Sequence, residues 1–356
     1  MRTLFNRLAL YPVAALALAA AAGCGGGDNG GSTGGVPNSV TTVAGASAFG
    51  TADGVGSAAR FHNPASCAVA PNGIIYVADF DNSAIRRVTP QGSVTTLTYA
   101  NYFQHPFGIT TAPDGSLFVQ TDDDDSAAHS ATTGTIWKVD QTTGIPTVIA
   151  RDIGRPRGLT ALRDGRLVLS DLVNSTVSLM DAGTGTIALL AGTAGTSGFN
   201  DATGAAAKFD RPYGVAQLPN GDIIVADQNN NRIREISLTG GVVTTFAGTG
   251  ASGSANGPKL SATFNHPQDV DCDSAGNVYV DDHDNGQIRR IAPDGTVSSI
   301  AGSTLGGFAD GVGSAAKFNG MEGMSLTPDG ASLYIADGTN GEDTQVFSRL
   351  RVMACR

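Results

Sequence analysis

One spacing recurs through the chain and limits what it can fold into. A Pro-x-x step opens a short apolar stretch, a Gly-containing turn follows, and a second apolar stretch ends in Asp 15 residues after the proline. Units start at Pro64, Pro106, Pro156, Pro212 and Pro267, and Met321 takes the proline's place in a sixth. The intervals between starts are 42, 50, 56, 55 and 54 residues, yet the 15-residue step is kept at Asp79, Thr121, Asp171, Asp227 and Asp282. Asp337 comes one residue late, which an extra residue near Ala331 accounts for. A fixed step inside units of varying length means that two inner strands are locked together while the loops drift. Such units bury their faces only against their neighbours, so the period decides the fold.

Each unit reads as four strands. In the fourth unit these are Gly214-Val215-Ala216, Ile223 to Asp227, Arg232 to Ile236 and Val242 to Phe246. Short apolar runs between Pro-Asn-Gly, Pro-Asp-Gly and Asn-Gly signals are the pattern of antiparallel strands joined by tight turns. Composition agrees, with 48 Gly in 356 residues and only 15% charged residues. Four strands per unit, six times over, predict an all-β fold: a six-bladed β-propeller of four-stranded antiparallel blades. The run from Arg211 through Ile236, and Tyr76-Val77-Ala78-Asp79 with Asn82 and Ile85-Arg86-Arg87-Val88, resemble the NHL repeat family. The resemblance covers the chain from about Ser39 to its end. The sixth unit stops after a third strand, Arg349 to Val352, and the missing fourth has a match in Ser39 to Gly45. The N-terminal strand is therefore expected to complete the last blade and to remove the open sheet edge.

The N-terminus carries an address. Arg2 and Arg7 precede an apolar run from Leu8 to Ala22, which is shorter than the roughly 20 residues of a membrane span. Ala21-Ala22-Gly23 leading into Cys24 resembles a bacterial lipoprotein signal, with Ala21 where Leu is commonest. That resemblance implies cleavage at residue 23, lipidation of Cys24 and a place in the bacterial cell envelope, on the outer membrane in a Gram-negative cell; plain secretion is the alternative. Residues 24–38 are Gly-rich and read as a flexible tether with a reach of about 20 Å. The propeller is assigned residues 39–356.

Net charge is −10, with 22 basic against 32 acidic residues. Nucleic-acid binding needs clustered basic residues, so nucleic-acid partners are excluded, and the membrane is met only through the lipid anchor. In an up-and-down blade the long segments 45–60, 122–134, 192–208, 248–263, 302–317 and 338–345 share one face. Variable loops on a rigid scaffold carry function, which marks that face. The residues flanking each starting Pro ring the channel mouth there: Asn63, His105, Arg155, Arg211, His266 and Gly320 before it, and Ala65, Phe107, Arg157, Tyr213, Gln268 and Glu322 after it. Arg155, Arg157 and Arg211, beside two His and Glu322, suit an anionic ligand or acid–base chemistry, with Tyr213 and Phe107 lining the ligand side.

The leading expectation is a monomeric, non-catalytic binding module for a protein, peptide or glycan. The alternative follows from the resemblance: streptogramin lyases and the peptide-amidating lyase place His and acidic residues with a metal around a propeller channel. It implies a lyase or lactone hydrolase using one Zn, Ca or Mg ion held by His105, His266 and Glu322, which would also be the catalytic residues. A purely structural envelope scaffold is the third reading. The run Asp122 to Asp125, with His129, reads as a solvated loop rather than a cation site. The repeated Asp-x-x-Asn (Asp79/Asn82, Asp171/Asn174, Asp227/Asn230, Asp282/Asn285, Asp337/Asn340) reads as a structural turn. Cys67 and Cys272 fall on inner strands two blades apart, so no disulfide is expected between them.

Overall fold

The computed structural model describes residues 36–99, 103–124, 126, 128–130, 132–339 and 347–356. The leader, Cys24 and most of the tether lie outside them. The described residues form six antiparallel sheets arranged as blades. Blade one runs Pro64–Val69, Ile75–Asp79, Ala84–Val88 and Ser93–Tyr99; blade four runs Pro212–Gln217, Ile223–Asp227, Arg232–Ile236 and Val243–Ala247. The inner pair of each blade starts and ends where the Pro-to-Asp step places it, as in the facing pairs Pro64 with Asp79 and Pro212 with Asp227.

The first strand of every blade packs against the first strands of both neighbours, and blade six packs on blade one. In blades two, three, four and six a Gly at the second position after the start lets these strands approach: a Cβ on Gly214 would stand 2.7 Å from Asp269 Cα. Closure is as expected, since Ser39–Ala46 pairs antiparallel with Ser348–Ala354 as the fourth strand of blade six. The sequence did not announce a fifth, two-residue strand at the outer edge of blades one, five and six (Gly54–Val55, Gly257–Pro258 and Gly311–Val312), which covers that edge further.

Four blades share one buried lock. Arg86, Arg234, Arg289 and Arg351 occupy the same register position on their third strands and are fully buried. Each donates to the strand-ending Asp of its own blade: Arg86 to Asp79 at 2.8 Å, Arg234 to Asp227 at 2.6 Å, Arg289 to Asp282 at 2.6 Å and Arg351 to Asp337 at 2.8 Å. The second guanidinium nitrogen reaches Asp53, Asp201, Asn256 or Asp310 in the loop that enters the blade. A buried Phe three residues before each blade start (Phe61, Phe209, Phe264, Phe318) lies 5.2–5.3 Å from the guanidinium. The long segments 45–60, 192–208, 248–263 and 302–317 are therefore near-copies that belong to the scaffold. That corrects their reading as variable, function-bearing loops.

The Asp-x-x-Asn turns are structural, as expected. Asn82, Asn174, Asn230 and Asn285 each donate to their Asp at 2.6–2.8 Å, while Asn340 lies outside the described residues. Cys67, Cys272 and Cys355 are free thiols. Among the described residues no helix is long and apolar enough to cross a membrane.

Candidate functional site

Blades two and three break the lock. Blade two has Thr121 in place of the Asp and Trp137 in place of the Arg, and the indole N–H donates to the Thr121 hydroxyl at 2.7 Å. Blade three keeps Asp171 but has Ser178 at the arginine's register position. With no arginine to neutralise there, this sector of the ring carries a different set of buried charges.

Asp122 follows Thr121 directly and its side chain is fully buried. The start of blade three delivers two cations to it, Arg155 just before the strand Pro156–Ala161 and Arg157 within it: Arg155 Nη2 at 2.5 Å and Arg157 Nη2 at 2.7 Å from one carboxylate oxygen. Gln120 donates to the other oxygen at 3.2 Å. Asp123 is 1% exposed and accepts from His105 and His129, with each Nδ1 2.5 Å from a different carboxylate oxygen. The acidic run is therefore not a solvated loop at these two positions. A charge buried this deeply survives only with hydrogen-bonded partners, and here blade three and two imidazoles supply them. Asp124 is half-buried and caps a local turn, and Asp125 lies outside the described residues.

The channel mouth is built on this cluster. Arg157 lies 3.9 Å above the Phe107 ring, within cation–π range. Phe107 packs edge-on against Tyr213 at 5.7 Å and against Phe80 at 5.9 Å. Phe107, Arg157, Tyr213 and Glu322 line one cavity of about 190 Å³ that continues down the channel to Asp269 and Asp271. Burial pushes Glu322 up to about 7, against the pull of Arg157 and helped by the charges of Asp81 and Asp122. Burial also raises Tyr213 well above its ordinary value, with Glu322 adding to it, so the phenol stays neutral. Burial drives Asp269 to about 8 even though the amides of Met324 and Val270 favour its ionised form.

Four of the six after-proline positions, Phe107, Arg157, Tyr213 and Glu322, thus line one cavity. The before-proline positions converge only in part. Asn63, His105, Arg211 and His266 all adopt left-handed backbone, with φ between 48° and 55°, a feature of the blade start rather than of one site. Arg155 joins the cluster, whereas Arg211 is tied to Gln228 at 3.1 Å. His266 Nδ1 is 2.5 Å from Asp284 at an exposed corner. His105, His266 and Glu322 are not brought together: among the described residues, the His, Cys, Asp and Glu side chains that gather within ligand reach are His105, Asp123 and His129. The residues present therefore do not fit a single channel ion held by His105, His266 and Glu322. Asp122 and Asp123 were passed over as site residues; the two arginines opening blade three, Arg155 and Arg157, were the signal for them.

The profile of the NHL repeat matches residues 209–236, the run from the end of the entry loop through the third strand of blade four. The chain is a six-bladed propeller that carries an NHL repeat. NHL repeat-containing protein 2 of Bos taurus is 26% identical over 317 residues, covering 82% of this chain and 40% of that relative. The chain thus spans about two fifths of its length. An auxiliary nutrient binding protein from Bacteroides thetaiotaomicron superposes with a TM-score of 0.67 at 17% identity, over 88% of this chain and 76% of that one. A gluconolactonase from Xanthomonas campestris gives 0.57 at 13% identity, over 83% and 86%. At these identities the structural likeness speaks for the fold of this ring alone.

Proposed function

We propose that the chain is an envelope-anchored, non-catalytic binding module that takes a peptide or glycan at the channel mouth beside blades two and three, with Cys24 as the lipid attachment point. The observation that carries this reading is the break in the repeated lock. Four blades spend their buried arginines on their own strands, whereas Arg157, anchored with Arg155 on Asp122, lines the mouth together with Phe107, Tyr213 and Glu322. Aromatic faces with a few fixed polar groups are the common lining of ligand sites, and drug-sized ligands ordinarily need about 300 Å³ or more. A cavity near 190 Å³ therefore suits one sugar ring or one side chain of a longer partner. The Bacteroides ring described as an auxiliary nutrient binding protein is in keeping with this use of the fold.

The test is a screen of soluble glycan fragments and peptides against wild type and Glu322→Gln. At least one family of probes is expected to bind, with affinity about tenfold weaker in the variant, the size of a lost charged hydrogen bond. Equal affinity for both proteins, with the melting temperature unchanged, would place the partner elsewhere.

A further inference from the structure

We propose that His105, Asp123 and His129 form a site for one divalent transition-metal ion, zinc by preference, at the corner of blade two. Each of the three offers a ligand atom within 4.8 Å of the other two. Asp123 is 1% exposed and, among the described residues, its ion-pair partners are the two imidazoles, because neighbouring Asp122 holds Arg155 and Arg157. A buried carboxylate facing two imidazoles and, among the described residues, paired with no arginine or lysine is short of positive charge, and a dication supplies it.

The ligands are held in place by the fold. The His105 carbonyl accepts the Asp122 amide at 3.2 Å, the Thr121 hydroxyl donates to the Asp123 carbonyl at 2.8 Å, and the backbones of Asp123 and His129 form a β-bridge. Two nitrogens and one oxygen form a donor set that suits zinc and its neighbours, whereas calcium and magnesium prefer six or more oxygens. At metal–ligand distances near 2.0–2.1 Å, tetrahedral donors stand about 3.3 Å apart, so each His–Asp contact has to widen by about 0.8 Å. The imidazoles are 36% and 51% exposed, which leaves room for that rotation and opens a fourth position to water or to an oxygen of a partner. The site does not depend on what the channel mouth binds.

The full chain in detergent, stripped with chelator and titrated calorimetrically with zinc chloride, tests this. One equivalent is expected to bind, at least tenfold more weakly in His129→Ala and in Asp123→Asn, unchanged in His266→Ala, and without competition from millimolar calcium or magnesium. The fluorescence of Trp137, the one tryptophan of the chain, checks that blade two stays folded. If Asp123→Asn does not fold, His129→Ala decides alone. No binding by the wild type, or an equivalent site of undiminished affinity in folded His129→Ala, overturns the proposal.

Discussion

Replacing Arg234 by methionine is expected to cost the ring about 3–5 kcal/mol of unfolding free energy, the usual effect of stripping one partner from a buried ion pair. Arg234 is fully buried and holds Asp227 at 2.6 Å, Asp201 at 2.5 Å and the carbonyls of Lys208 and Asn200 at 3.1 Å each, so one substitution loosens both the inner strands of blade four and its entry loop. Asp227 is left buried without its cation. The double variant Asp227→Leu/Arg234→Met should recover much of the loss. Blade two already solves the same position without charge, through Thr121 and Trp137. Arg232→Met, two residues away, serves as the control: its guanidinium lies over Phe199 at a part-exposed position, and a change below about 1 kcal/mol is expected. Equal effects at 232 and 234 in chemical denaturation would contradict the assignment of the lock.

The second large effect is on pH dependence. Asp281 is 1% exposed, neither carboxylate oxygen has a hydrogen-bond partner among the described residues, and burial followed by the charges of Asp269, Asp282, Glu322 and Asp337 raises it well above the usual range. Burial likewise lifts Asp269 to about 8, Glu322 to about 7 and Asp271 to about 6. These folded-state values lie above the unfolded ones, so the native ring holds protons that the unfolded chain releases. Their contribution is complete below about pH 4 and is lost as pH rises through about 8. Stability should therefore fall by roughly a few kcal/mol between pH 5 and pH 8, after allowance for the partial exposure of Asp269, Asp271 and Glu322. Asp281→Asn removes the most costly of these groups. It is expected to leave stability near wild type at pH 5 and to raise it by about 1–3 kcal/mol at pH 8. Thermal unfolding across this range checks both; a wild type that gains stability from pH 5 to 8, or a variant equally destabilised at both ends, would contradict the account.

The ring was legible because its cause is local. The Pro-to-Asp step sets the length of two paired strands, and the orphan strand at Ser39–Ala46 has one place to go. The arginine lock was half legible: Arg86, Arg234 and Arg289 all stand seven residues after their Asp, but the connection in blade six moves Arg351 to fourteen and hides the pattern. Phe107, Arg157, Tyr213 and Glu322 were legible because one repeated backbone position faces the channel in every blade. The rest of the site is tertiary. A run of aspartates reads as solvated until two arginines from the next blade are set against it. His105 and His266 look alike in sequence and stand opposite each other in the ring, yet each bonds an aspartate 18 residues further along its own blade.

Amide hydrogen exchange with and without the tightest ligand found in the screen tests the central claim, that the partner sits where the lock is broken. Slowed exchange confined to residues 105–109, 120–124, 155–159 and 212–214 is the predicted result. Protection centred on the opposite turns at 71–73 and 293–295, or spread evenly over the four locked blades, would contradict it.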